Sequence, residues 1–139
     1  MATARKLMKA MFHGSSLGTP SRQGFMNKAL EAYIEAALWS STDDDGEPMD
    51  DSYDYGDISF ATRQEMRKDV EAFIRVNVAD IGDMDAGQVG HDFWLTRNHH
   101  GVGFWDRGLG ARGKRLTDAA HVYGESDIYV GDDGKLYVS

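Results

Sequence analysis

Cysteine is absent from the 139 residues, which excludes a disulfide framework, a thiolate nucleophile and a zinc site of the cysteine type. Long apolar runs are missing too: none approaches the ~18 residues needed to cross a bilayer, and the N-terminus lacks the continuous apolar stretch of a secretory signal. The expectation is a cytoplasmic protein that does not span a membrane. Catalytic signatures are equally scarce. There is no H-E-x-x-H, no Walker glycine loop and no G-x-S-x-G. No nucleophile is paired by its spacing with a base, so no catalytic residue is assigned and no cofactor is implied. The chain reads as a binding protein rather than an enzyme.

Apolar residues make up 41% and charged residues 27% of the chain, an ordinary balance for a single globular domain of this length. The net charge of −8 is concentrated in one place. The segment DDDGEPMDDSYDYGD, residues 43–57, carries Asp43, Asp44, Asp45, Glu47, Asp50, Asp51, Asp54 and Asp57 and no base. Residues 1–30 carry Arg5, Lys6, Lys9, Arg22 and Lys28 and no acid, and residues 97–115 are basic apart from Asp106. Such a molecule is electrically multipolar.

Residues 1–23 read as a basic N-terminal arm and linker, with residues 24–139 as one domain. The arm's composition superficially matches a transit peptide, but docking on an acidic surface is the simpler reading. From Gly24, the stripe Met26, Leu30, Tyr33, Ile34, Ala37 predicts an amphipathic helix. An acidic loop over 41–58 follows. A second helix is expected from Ser59 to Gly82, with Thr62 and Glu65 as a capping box and Met66, Val70, Phe73, Asn77 and Ile81 on its apolar face. Leu116, Ala119, Ala120 and Tyr123 predict a third, shorter helix stopped by Gly124. DIYVGDDGKLYV reads as a β-hairpin turning at Gly134. The stretch HDFWLTRNHHGVGFWDRG, His91 to Gly108, reads as another hairpin turning at Asn98–Gly101. The expected fold is therefore α+β: an antiparallel sheet built from two hairpins, packed with two long helices and one shorter one.

If Asn98 faces Gly101, the hairpin opposes Trp94 to Trp105, Asp92 to Arg107 and Leu95 to Phe104. Trp94, Arg97, His99, Trp105 and Arg107 then form a candidate site for a ligand or partner, able to stack a base or anchor a protein. The same residues serve equally well as cross-strand stabilisers. His91, Asp92, His99, His100 and Asp106 are all possible metal ligands, but their spacing along two strands does not converge, and no metal is assigned. GLGARG, Gly108 to Gly113, formally matches a dinucleotide fingerprint without the βαβ context that gives it meaning. A weaker anion site survives at Gly110, Gly113, Lys114 and Arg115, at a helix start. The acidic segment has the wrong residues for a calcium loop. It is either a solvated connection or an interaction surface in which Asp43, Asp44, Asp45, Glu47, Asp50 and Asp51 contact a basic protein or imitate a phosphate backbone.

Taken together, EAYIEAALWSSTDDDGEPMDDSY, GHDFWLTRNHHGVGFWDRG and YVGDDGKLYV resemble a group of small proteins encoded by tailed bacteriophages. The likeness covers about residues 28–138. It implies a phage origin and action in the host bacterial cytoplasm. It implies no reaction, so no residue roles carry over. For a small acidic phage protein the first expectation is a non-enzymatic accessory factor that binds a host or bacterial defence protein. The alternative is a binder of nucleotides or single-stranded nucleic acid that uses the Trp and Arg residues of the hairpin with the basic segment 107–115.

Overall fold

The computed structural model describes residues 21–139, so residues 1–20 of the expected basic arm lie outside the described residues. Helix α1 (Arg22–Trp39) begins at Ser21, whose hydroxyl accepts the Gly24 amide. The last residues assigned to the linker are therefore already helical. The predicted stripe Met26, Leu30, Tyr33, Ile34, Ala37 is buried. Helix α2 (Phe60–Val76) is capped by Ser59, three residues before the expected Thr62, and buries Thr62, Met66, Val70, Phe73 and Ile74. It stops short of Ile81. Asn77 donates its side-chain amide to the Phe73 carbonyl at 2.8 Å and leaves helical geometry, and one further turn, α3 (Val78–Ile81), ends at Gly82. Helix α5 (Ala111–His121) buries Gly113, Leu116 and Ala120. The chain closes with an antiparallel pair, β1 (Ile128–Val130) and β2 (Leu136–Val138), whose turn places Gly134 at φ +81°. No helix among the described residues is long and apolar enough to cross a membrane.

The expected hairpin at 91–108 does not form. Its first half is helix α4 (Ala86–Arg97), N-capped by Asp85, whose carboxylate accepts the Gln88 amide. Its second half is a single 3-10 turn at Phe104–Asp106. The Asn98–His99–His100 sequence read as a hairpin turn is the end of α4. The His99 amide reaches the Thr96 carbonyl and the His100 amide the Leu95 carbonyl, the paired bonds of a Schellman stop, with His99 at φ 59°. The error has a physical cause. Asp92 to Arg97 are all buried, and a helix buried on every side shows no 3.6-residue polar alternation to separate it from a strand.

Helices α1 and α4 form the most extensive pair in the molecule. They approach so closely that a Cβ on Gly90 would lie 1.8 Å from the Ala29 carbonyl oxygen. Tyr33, Phe73, Phe93, Trp94 and Phe104 fill the centre, with Phe73 stacked on Phe93 at 4.2 Å between ring centroids. A two-stranded hairpin is marginal alone. Here Ile128 and Leu136 anchor it in the core, and the Ser59 amide donates to the Leu136 carbonyl. The described fold is thus a mixed arrangement of five helices and one two-stranded sheet, not a sheet of two hairpins.

Candidate functional site

Folding α4 as a helix disperses the residues of the supposed hairpin face. Trp94 is buried; its indole N–H donates to Ser40 Oγ at 3.1 Å and its ring meets Tyr33 edge-on. Arg97 is buried as well, donating to the Gly124 carbonyl, the Tyr33 hydroxyl, Asp69 and the Tyr123 carbonyl. Burial pushes the Tyr33 hydroxyl well above its ordinary range, with Arg97 opposing that shift. The indole N–H of Trp94 and the guanidinium of Arg97 are thus taken up inside the protein. Trp105 is 57% exposed but shares no face with Trp94. His99 lies on the surface at the α4 stop, its ring stacked 4.3 Å from His121.

The pairing of Asp92 with Arg107 does occur, across a helix and a following turn instead of two strands. Arg107 donates twice, from Nε at 3.0 Å and from a terminal nitrogen at 2.8 Å. The Asp92 hydrogen bond holds the guanidinium above its usual pKa. The basic segment is not assembled as an anion site either. Lys114 pairs with Asp118 at 2.8 Å, Arg115 makes a bidentate contact with Asp80, Gly113 is buried beside the Phe104 carbonyl, and Gly110 provides no side-chain cap. The surface proposed for stacking a base above a row of free cations is therefore not brought together.

The acidic segment is ordered by its own carboxylates. Asp43 accepts the amides of Asp45 and Glu47 at 2.9 and 3.0 Å, Thr42 bridges to Pro48, and Asp54 and Asp57 form a capping box. Met49 is buried between them. Asp44, Asp45, Glu47, Asp50 and Asp51 point to solvent. Among the described residues no three His or carboxylate side chains come together as metal ligands.

One wall of this segment faces a groove of about 600 Å³, opposite α1 and the middle of α4. Glu31, Glu35 and Trp39, four residues apart on the outer face of α1, form one side; Asp50, Asp54, Tyr53 and Tyr55 form the other, and His91 closes it. Trp39 is 57% and Tyr55 38% exposed. His91 Nδ1 lies 3.0 Å from Asp92 Oδ1. An ionised carboxylate only accepts, so Nδ1 of His91 is the donor in this pair, and Nε2 is the ring nitrogen left for the groove. Buried Asp92 is satisfied at the same time by Gln88 at 2.8 Å and by Arg107.

No Lys or Arg lines this groove, and no Ser or Thr. His91 therefore has no Ser or Thr hydroxyl beside it in the groove, despite a buried carboxylate behind it. Glu31, Glu35, Asp50 and Asp54 only accept when ionised, and the exposed rings offer negative π-faces. Such a site accommodates a cationic hydrogen-bond donor. The sequence reading missed it, although the Glu31, Glu35, Trp39 stripe was visible on the face of α1 turned away from its core stripe. Comparison with protein families, with curated proteins and with solved structures finds no match to this chain.

Proposed function

We propose that this chain is a non-enzymatic binding factor whose acidic, aromatic face takes up a positively charged surface of a protein partner. The partner expected from the phage resemblance is a host or bacterial defence protein in the cytoplasm of the infected cell. The observation that supports this reading most strongly is the groove itself. Four carboxylates, two exposed aromatic rings and an oriented imidazole converge there with no base among them. An Arg or Lys side chain entering it gains both cation–π and ionic contact. The exposed acids of the 43–51 loop extend the same negative potential outward, which raises the association rate with a basic surface and makes it salt-dependent.

The test is affinity capture from bacterial lysate by the full chain, by Trp39→Ala and by Glu31→Gln/Glu35→Gln, each at low and high salt. A single protein retained by the parent at low salt, released at high salt and lost from both variants is the expected result. Equal capture by parent and variants, with unchanged melting temperatures, counts against the groove as the binding site.

A further inference from the structure

On the other side of the acidic segment lies a separate cleft of about 410 Å³. One wall is Ser40–Asp44, the other is Ser126–Val130, and the end of α4 lies between them with Trp94, Asn98 and His100. The second wall runs into strand β1, and the first carries a single bridge position, Thr42.

The hydrogen bonding of each wall shows which way its free groups point. The β1–β2 ladder continues beyond the strands through the Ser139 amide to the Asp127 carbonyl at 2.9 Å and the Gly131 amide to the Lys135 carbonyl at 2.7 Å. Antiparallel pairs alternate between bonded and non-bonded positions. Asp127–Ser139 and Gly131–Lys135 are bonded, so Tyr129–Tyr137 is bonded, while Ile128–Val138 and Val130–Leu136 are not. The amide and carbonyl groups of Ile128 and Val130 are thus directed away from β2. The same parity is visible on β2, where the outward Leu136 carbonyl is taken by Ser59. Among the described residues neither the Ile128 nor the Val130 amide has a backbone partner.

Across the cleft, Thr42 sits opposite Pro48 in an antiparallel bridge. Its neighbours make the two bonds, Asp43 amide to Glu47 carbonyl and Met49 amide to Ser41 carbonyl, both 2.9 Å. The backbone groups of Thr42 itself therefore point away from the acidic turn.

The geometry points to this cleft as the docking site for an extended segment of a partner protein, which adds as a new strand beside β1 and also pairs with the Thr42 edge. Open edges of this kind are templates for strand addition. The charge of the walls selects the occupant: Asp43, Asp44 and Asp127 line the cleft and no Lys or Arg does, so the segment carries basic side chains. This site does not depend on the Trp39 groove. The two have no lining residue in common: Asp43, Asp44 and Met49 of the acidic segment border one and residues 50, 53, 54 and 55 the other, and α4 contributes Trp94 to one and His91 to the other.

The experiment is a nuclear magnetic resonance titration of the labelled full chain with a synthetic heptapeptide of alternating Lys and Val. Two counterparts, N-methylated at alternate backbone amides in either phase, are titrated in parallel. N-methylation removes donors and leaves charge intact. The expected result is saturable movement of the Ile128, Val130 and Thr42 amides, slowed hydrogen exchange at Ile128 and Val130, and a loss of about tenfold or more in affinity for both methylated peptides. Val130→Pro removes an outward amide without touching the ladder, and it lowers affinity by a similar factor. Equal binding of the methylated peptides overturns the proposal, as does movement centred on Trp39 and Tyr55, self-association of the chain through β1, or no binding of any peptide.

Discussion

Asp92 and Arg107 make an asymmetric pair, and the asymmetry predicts which substitution does more damage. The Asp92 side chain is 0% exposed and that of Arg107 34%. Arg107→Ala leaves a buried carboxylate with only the Gln88 amide and His91 Nδ1 as partners. Breaking a buried pair in this way costs about 3–5 kcal/mol, and the two remaining donors place the effect near the lower end. Asp92→Asn is milder. The amide keeps the shape of the site, and Arg107, already a third exposed, turns to water, so the cost is about 1–2 kcal/mol. The double variant removes the stranded charge and is more stable than Arg107→Ala alone. Urea unfolding of the four proteins at neutral pH gives the cycle directly. If Asp92→Asn costs as much as Arg107→Ala, or if the two effects simply add, the carboxylate is not the buried hub described here.

Gly90→Ala gains up to about 1 kcal/mol of helix propensity but drives a methyl group into the Ala29 carbonyl, 1.8 Å from the Cβ position. The net effect is a loss of about 2 kcal/mol or more, read as a lowered urea midpoint; a neutral or stabilised variant means that α1 and α4 do not cross there. Trp94→Ala costs about 3–5 kcal/mol while Trp105→Ala, at an exposed position, costs about 0.5 kcal/mol or less. Equal losses at the two positions contradict their separation into core and surface. Burial raises the Tyr33 pKa, so the folded state holds that proton more tightly. Its contribution is fully present below the unfolded value of about 10 and declines as pH rises above it. Tyr33→Phe accordingly costs about 1 kcal/mol at neutral pH, and its deficit relative to the parent narrows above pH about 10. A constant deficit refutes the assignment.

Periodicity made α1, α2 and α5 visible because each leaves one face in water. It failed at α4, where Asp92 to Arg97 are buried together and the apolar and aromatic run looks the same as a strand. The Asp92–Arg107 partnership was anticipated through a hairpin register that does not exist, yet opposite charges flanking a compact turn find each other in either geometry. For Trp94 and Arg97 the sequence leaves an exposed site and a stabilising role equally open. In the fold their polar ends are satisfied internally, by Ser40 for the indole and by Tyr33, Asp69 and two carbonyls for the guanidinium. The pairing of Lys114 and Arg115 with Asp118 and Asp80 shows the same local neutralisation. The groove was not legible for a different reason: Glu31, Glu35 and Trp39 meet Asp50, Tyr55 and His91 only after three segments distant in the chain have packed.

The most direct measurement follows the three indole N–H resonances of the labelled chain as a hexa-arginine peptide is added, with hexa-glutamate as control. Trp39 should shift saturably at low salt and return at high salt, with buried Trp94 and remote Trp105 unmoved. A shift centred on Trp105, or no shift of Trp39, contradicts a cation-binding acidic face.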